Sequence, residues 1–211
     1  MTIRIAREDA STLAEYARVP IAFEVRETLG VTVLDSGLGG LVFHVEPVPT
    51  PYAKDYDQEP GNHPTDWPRR FDLREWAILA AWEDEARVGG AVVAWNTPGV
   101  ESLEGRSDLP VLWDLRVAPG HRGRGVGAAL FRAAAAWSAE RGARQLAVET
   151  QNVNVGACRF YARQGCVLGA VHRFAYPTLP LEVQLRWYMD LTSGVEDAAS
   201  PARVALVRAG W

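Results

Sequence analysis

One segment, residues 118–127, constrains the fold more than the rest of the chain. Its sequence is Ala-Pro-Gly-His-Arg-Gly-Arg-Gly-Val-Gly, and it lies between an apolar stretch typical of a strand and an amphipathic stretch typical of a helix. Glycines at a helix start let backbone N–H groups approach an anion, and the helix N-terminus adds a partial positive charge. Arg122 and Arg124 supply two further positive charges. The segment therefore predicts a phosphate-binding loop.

Two well-known phosphate loops can be compared with this segment. A P-loop needs a lysine after its last glycine, and the single lysine of the chain, Lys54, lies far away, so P-loop chemistry is excluded. Gly123, Gly125 and Ala128 satisfy the dinucleotide-binding fingerprint, and Glu149 lies near the place of a ribose-binding acid. That fingerprint should begin almost directly after a strand, whereas residues 118–122 intervene here. Too few residues follow for a doubly wound domain, so the sequence disfavours this alternative.

Composition limits the partners of the chain. Its 211 residues carry a net charge of -4 with a pI near 5.6, which does not favour binding to nucleic acid. It has no run of 18 apolar residues and no apolar segment after the N-terminus, so we expect no membrane span, no signal peptide and a cytoplasmic location. Cys158 and Cys166 are too few for a disulfide scaffold and are not spaced with the histidines as metal ligands, so we expect no metal.

The N-terminal third contains patterns for one strand, one helix and a hairpin. The predicted elements are a strand at 3–6, a helix from about 9 to 19, capped by Asp9 or Ser11 and ended by Pro20, and hairpin strands at 25–34 and 41–45. Residues 47–68 are rich in proline, acidic residues and aromatic residues, which predicts a long surface loop.

The remainder alternates strands with helices. The predicted strands are 76–82, 88–95, 111–117, 145–149, 167–174 and 185–189, and the predicted helices are 126–141 and 156–164. Some strands follow one another directly and others are separated by a helix, so the expected class is α/β with a mixed sheet. Residues 193–211 are rich in alanine and predict either a docked helix or a frayed end.

The residues around the glycine-rich segment match a known family. The strand ends in Val-Ala-Pro at 117–119, Arg-Gly-Arg-Gly-Val-Gly follows at 122–127, and Glu149, Asn154, Tyr161 and Gly165 come in the next strand and helix. In this pattern the chain resembles the GNAT family of N-acetyltransferases, and residues 149–162 are most similar to its streptothricin acetyltransferases. The resemblance implies an α+β fold with a mixed, mostly antiparallel central sheet flanked by helices, in which splayed parallel strands form the acetyl-CoA cleft.

The resemblance also implies a domain layout and a cofactor site. One domain would cover residues 1–192, with an N-terminal part at 1–68 and the cofactor-binding core at 69–192, followed by the tail at 193–211. Acetyl-CoA would be the cofactor, with its pyrophosphate on Arg122, Gly123, Arg124, Gly125, Val126, Gly127 and Ala128. The main chain of Leu115, Arg116 and Val117 would pair with the pantetheine arm, and Asn154 would orient the cofactor from the other side.

Two residues match the family's catalytic positions. An aliphatic amine has a pKa near 10 and must lose a proton before it attacks, so a base is needed. The resemblance gives this role to Glu149, acting through water, with Asp114 as the reserve candidate, and makes Tyr161 the acid that protonates the leaving thiolate. The alternatives are a solvent-facing strand end for Glu149 and a core aromatic for Tyr161.

The acceptor is less constrained than the cofactor. The leading prediction is a small-molecule primary amine, including a streptothricin-like antibiotic and hence antibiotic resistance. The alternatives are an amine on a protein or peptide, or a catalytically silent acetyl-CoA-binding module. The acidic and aromatic residues of 52–59 could close over a cationic substrate or form a solvated loop, and the C-terminal strands and tail offer surface for a homodimer.

One departure from the streptothricin acetyltransferases bears on the acceptor. After Gly169, His172 and Arg173 precede Tyr176, where those enzymes tend to carry an Asp-Thr pair. An arginine beside the substrate channel would repel a polyamine antibiotic.

Overall fold

The computed structural model describes residues 2–192; the tail at 193–211 lies outside the described residues, and so does its predicted helix or frayed end. The strands of the described part are β1 (Ile3–Glu8), β2 (Phe23–Leu34), β3 (Gly40–Lys54), β4 (Ala77–Glu83), β5 (Ala86–Ala94), β6 (Val111–Val117), β7 (Gln145–Gln151), β8 (Val167–His172) and β9 (Gln184–Asp190). Its α-helices are α1 (Leu13–Tyr16), α2 (Trp67–Arg70), α3 (Val126–Ala139) and α4 (Val155–Arg163).

The central sheet is mixed and mostly antiparallel, as predicted. Its seven strands in the described chain have the order β1-β4-β5-β6-β7-β9-β8, and β6–β7 is the parallel pair. Strands β2 and β3 form a separate antiparallel ribbon. The ribbon joins the end of β7 through a hydrogen bond from Leu29 N to Asn152 O at 2.9 Å and another from Asn152 Nδ2 to Leu29 O at 3.1 Å.

The parallel pair separates soon after it begins. Strands β6 and β7 pair only at Val111↔Ala147 and Leu112↔Val148. Beyond these residues the strands diverge, while β6 stays paired with β5 and β7 stays paired with β9. An irregularity in the β5–β6 pairing leaves Trp113 out of register, which helps β6 turn away from β7. The predicted splayed cleft is therefore present between β6 and β7.

Each face of the sheet carries its own apolar core. On one face, Leu79, Val93 and Leu112 pack with the buried sides of α3 and α4, including Leu130 and Tyr161. On the other face, the alternate strand residues join a cluster of aromatic and aliphatic side chains; its buried members include Leu13, Tyr16, Trp67, Trp76, Ile78, Val92 and Val111. Successive side chains of a strand point to opposite faces, so both faces of the sheet are apolar and both are covered by helices.

The predicted helix at 9–19 is much shorter than expected. Asp9 caps the turn, as predicted, by accepting a hydrogen bond from Ser11 N at 2.9 Å, but α-helix is confined to Leu13–Tyr16 after a 3-10 turn. The carbonyl groups of Val19, Pro20 and Ala22 instead accept hydrogen bonds from Arg116 and Arg122. Tertiary contacts with arginines from a distant part of the chain therefore set the course of residues 19–22.

The predicted loop at 47–68 was wrong over its first eight residues, because β3 continues to Lys54. The β2–β3 register shifts between Val25, which pairs with Tyr52, and Glu27, which pairs with Pro47. Residues 48–51 thus bulge from the ladder, and proline is tolerated in a bulge because no ladder N–H is required there. The rest of the segment consists of 3-10 turns and α2.

Cys158 and Cys166 are free and buried, in agreement with a packing role.

None of the helices in residues 2–192 has both the length and the apolar character needed to cross a membrane.

Candidate active site

A cavity of about 1500 Å³ opens where β6 and β7 diverge. Both strands line it, together with the first turns of α3 and α4 and parts of the N-terminal third. Of the residues predicted to bind acetyl-CoA or act in catalysis, all but Arg124 and Val126 line this cavity. The structure therefore brings a dispersed set of sequence positions to one place.

The glycine-rich segment forms the start of α3. Gly123 and Gly125 have φ values of +75° and +86°, and Gly125 is the N-cap of the helix. Residues with a Cβ rarely adopt such angles, which explains the glycines. The first N–H groups of a helix have no partner within it, and Gly127 and Ala128 of this first turn line the cavity. The loop therefore offers backbone donors and a helix N-terminus to an anion.

The two arginines of the loop hold it in place. Arg122 donates from Nε to Val117 O at 2.9 Å and from a guanidinium nitrogen to Ala22 O at 2.9 Å. Arg124 forms an ion pair with Glu83 at 3.1 Å, and His121 also contacts Glu83. These guanidinium groups thus have partners within the protein.

Arg116 contributes to the site through its main chain, because its side chain is fully buried in an ionic network. Its guanidinium donates to both oxygens of Asp114, at 2.9 and 2.7 Å, and to both oxygens of Asp57, at 2.9 and 3.0 Å. Tyr16 donates to Asp114 Oδ1 at 2.5 Å. Asp114 thus accepts three hydrogen bonds, which commit its carboxylate to Arg116 and Tyr16.

Glu149 lies half-buried near the end of β7 with a tyrosine as partner. The Tyr176 hydroxyl donates to Glu149 Oε1 at 2.7 Å and accepts a hydrogen bond from Gln151 Nε2 at 2.7 Å. Burial and the adjacent Glu149 carboxylate raise the pKa of the Tyr176 phenol. Sequence reasoning missed Tyr176 because it belongs to the irregular segment between β8 and β9, where no periodic pattern predicts its direction.

Tyr161 lies on the buried side of α4 and also lines the cavity. Its ring packs against those of Phe131 and Phe160, with centroids 5.8 and 5.1 Å away. Burial, followed by the Asp114 charge, raises the pKa of its phenol well above the ordinary value. The group therefore carries its proton throughout the physiological pH range.

Asn154 begins α4 on the same cavity wall. Its Oδ1 accepts a hydrogen bond from Ala157 N at 3.0 Å, which caps the helix. The cap fixes the side chain in one orientation beside the cleft. Asn154 is thus available as an oriented polar group opposite the glycine loop.

Most acidic groups of residues 52–59 are used inside the protein. Asp57 binds Arg116, Asp55 accepts from Asp57 N at 3.1 Å, and Glu59 pairs with Lys54 at 3.1 Å. Tyr52 is half-exposed and outside the cavity lining, whereas Tyr56 lines the cavity. The carboxylates therefore hold the segment in place. Within residues 52–59, Tyr56 and Asp57 line the cleft.

Arg173 lies outside the cavity. It is exposed, and its guanidinium lies 5.3 Å from the ring centroid of Phe174. It is not among the residues that line the cavity.

Comparison with known proteins agrees with this geometry. A family model described as acetyltransferase (GNAT) family matches residues 48–166. The streptothricin acetyltransferase of Escherichia coli is 30% identical over 182 residues, which covers 84% of this chain and 89% of the relative. Among solved structures, nourseothricin acetyltransferase superposes with a TM-score of 0.70 at 24% identity, covering 90% of this chain and 99% of that one. A candidate streptothricin acetyltransferase from Bacillus anthracis str. Ames, solved with acetyl coenzyme A, superposes with a TM-score of 0.69 at 24% identity and the same coverage.

Proposed function

The chain belongs to the GNAT family of acetyltransferases, and we propose that it transfers the acetyl group of acetyl-CoA to a primary amine of a cationic small molecule. Streptothricin is the first candidate acceptor. In this proposal Glu149 is the general base and Tyr161 is the general acid. The single observation that carries it is that a carboxylate and a buried, protonated phenol line one cavity at the point where β6 and β7 diverge.

The residues of the cavity fit acetyl-CoA. The N–H groups at the start of α3 suit the pyrophosphate, and the edge of β6 beyond Leu112 lacks its β7 partner and so suits an extended pantetheine arm. Acetyl-CoA supplies a thioester whose acetyl carbon accepts the amine. A main-chain N–H of β6 that faces the thioester oxygen would stabilise its developing negative charge, an effect worth about 2.7 to 4 kcal/mol per donor.

The two proposed catalytic groups each move one proton. Glu149 takes a proton from the ammonium group, directly or through water, and the neutral nitrogen then attacks the acetyl carbon and releases its second proton to water as the amide forms. The bond between that carbon and sulfur breaks, and Tyr161 gives its proton to the sulfur. The raised pKa of Tyr161 keeps the donor protonated until the thiolate forms nearby.

The charges of the cavity support a cationic acceptor. Several lining carboxylates have cationic partners: Asp57 and Asp114 pair with Arg116, Glu27 with Arg159, and Glu24 with Arg26. Glu101 and Glu149 line the cavity and form no ion pair with another described residue. An ammonium group entering the cleft would therefore find two carboxylates that have not been neutralised by arginine. The relatives named as streptothricin acetyltransferases support this antibiotic as the first acceptor to test.

A thiol-release assay tests the proposed function. We expect purified protein to release CoA thiol from acetyl-CoA when streptothricin is added, and mass spectrometry to find the antibiotic heavier by one acetyl group. Polyamines, aminoglycosides, lysine and peptides are tested in parallel. Transfer to peptides alone would replace the proposed acceptor with a protein amine, and failure to bind acetyl-CoA by calorimetry would contradict the entire proposal.

Replacement of Tyr161 tests the acid. We expect Tyr161→Phe to lower kcat by about 10²-fold, in the range of general acid catalysis, while the dissociation constant of acetyl-CoA changes less than about twofold. The ring contacts with Phe131 and Phe160 remain, so the fold should be preserved. Phe160→Leu is the packing control, because it removes a neighbouring ring and no hydroxyl. Equal losses of kcat and of acetyl-CoA affinity in Tyr161→Phe would indicate a structural tyrosine instead.

A further inference from the structure

The Tyr56 hydroxyl is buried in the wall of the cavity, and no group of residues 2–192 meets hydrogen-bond geometry with it, although the Asn154 side chain is near enough to lower its pKa. Most buried polar groups in proteins have partners, because a buried group that loses its hydrogen bond to water and gains none is costly. Burial is also the main cause that raises the pKa of this phenol, so the group is neutral. Its unfilled hydrogen-bonding capacity therefore faces a site that holds a ligand during the reaction.

The structure fixes Tyr56 from both sides. Two residues before it, Lys54 donates to Glu182 Oε1 at 2.9 Å and to Glu59 Oε1 at 3.1 Å. One residue after it, Asp57 receives two hydrogen bonds from the buried guanidinium of Arg116. The ring also packs against Phe23 with 5.5 Å between centroids. Buried ion pairs on both sides of one tyrosine hold its hydroxyl in a defined position.

The surroundings of the hydroxyl belong to the reaction centre. The groups that influence the pKa of Tyr56 include Asn154, which caps α4, and Glu149, the proposed base. Tyr56 in turn influences the pKa values of Tyr161 and Tyr176. Its segment, which follows β3, reaches the cleft from the N-terminal third, whereas the glycine loop and α4 hold the cofactor side. The hydroxyl thus lies in the wall of the same cavity as the proposed base and Asn154.

We infer that Tyr56 is a substrate-binding residue whose hydroxyl oxygen accepts a hydrogen bond from the acceptor amine beside Glu149. The inference rests on the proposed function and adds a group that the family motif does not contain. With one N–H on Tyr56 and another proton directed to Glu149, the nitrogen lone pair is left to face the acetyl carbon. A hydrogen bond to a charged or partly charged nitrogen is among the stronger ones in proteins.

The Tyr56→Phe variant tests this inference. We expect kcat/KM for streptothricin to fall about 10- to 100-fold, as for loss of a hydrogen bond to a charged group, while the dissociation constant of acetyl-CoA stays within about twofold of wild type. The melting temperature should stay the same or rise, because the variant removes a buried hydroxyl that has no partner. Tyr52→Phe is the matched control, since Tyr52 lies four residues earlier, is half-exposed and is outside the cavity lining.

Three results would overturn the inference. Wild-type kcat/KM in Tyr56→Phe would show that the hydroxyl does not contact the amine, and an equal loss of acetyl-CoA affinity would assign it to the cofactor. Failure of the proposed function is recognised separately, because wild-type protein would then release no thiol with any amine. Calorimetric titration of streptothricin into protein saturated with CoA compares wild type with Tyr56→Phe without turnover. Equal affinities of the two proteins for streptothricin would also contradict the inference.

Discussion

Glu149→Gln should lower kcat/KM for the amine by about 10² to 10⁴, the range for loss of a general base. Glutamine keeps the length of the side chain and an oxygen that can accept the hydrogen bond from Tyr176, now 2.7 Å long. It cannot accept a proton from the amine. Steady-state kinetics with acetyl-CoA and streptothricin measure the loss, and calorimetry should give wild-type affinity for acetyl-CoA.

The pH dependence of this variant separates a base from a structural carboxylate. An aliphatic amine has a pKa near 10, so a rise from pH 7 to pH 9 increases its neutral fraction about 100-fold. The ratio of wild-type to variant activity should narrow over this range, because a neutral amine needs no base. Glu85→Gln is the control, since Glu85 is exposed in the β4–β5 turn and should retain full activity. A ratio that stays constant with pH would contradict the role of Glu149 as base.

The core of the fold was predictable because its signals are local. The glycines at 123 and 125 determine where α3 begins, since the chain needs positive φ angles there. The strands at 111–117 and 145–149 are recognisable from their apolar residues, and the second continues to Gln151 in the structure. Local sequence thus defined the elements that form the two sides of the cleft.

The N-terminal third was less predictable because distant residues shape it. The helix from residue 9 stops early where Arg116 and Arg122 bind the carbonyl groups of residues 19–22. Residues 47–54 form a strand because β2 pairs with them, although proline there suggests a loop. Neither contact leaves a periodic pattern in the sequence.

The residues of the candidate site also divide into those predictable from local sequence and those placed by distant contacts. Glu149, Asn154 and Tyr161 belong to a motif of fixed spacing, so their common location could be predicted. Tyr56 and Tyr176 come from segments without long regular elements, and tertiary contacts alone bring Tyr56 to the cavity and Tyr176 to Glu149. The acidic residues of 52–59 suggested substrate binding, but the pairing of Asp57 with Arg116 could not be foreseen because 59 positions separate them.

Arg116 is the residue whose loss should most reduce stability. Its side chain is fully buried, and its charge balances the carboxylates of Asp57 and Asp114. Burial by itself lowers the pKa of this guanidinium, but the attraction of Asp114, with hydrogen bonds to Asp114 and Asp57, raises it above the ordinary value. The network connects β6 to the segment that carries Tyr56, so it joins the sheet to one wall of the cleft.

Arg116→Met should destabilise the protein by about 3 to 5 kcal/mol, the usual cost of leaving buried charges unpaired. For a chain of this size that corresponds to a fall of about 6 to 20 °C in melting temperature, measured by calorimetry or circular dichroism. Arg74→Met is the matched control, because Arg74 is exposed and pairs with Asp72 at the surface, where water screens the ion pair and its loss should leave the melting temperature nearly unchanged.

A triple variant distinguishes the two possible causes of this loss of stability, unpaired charge and lost packing. If the cost in Arg116→Met comes from stranded carboxylates, then the triple variant with Asp57→Asn and Asp114→Asn should recover a large part of the lost stability, since two neutral amides replace two buried charges. Tyr16 can still donate to the residue at position 114, which it now contacts at 2.5 Å. A triple variant as unstable as Arg116→Met would mean that the guanidinium acts mainly by filling space, and the ionic link between β6 and the segment of Asp57 would then contribute little to the fold.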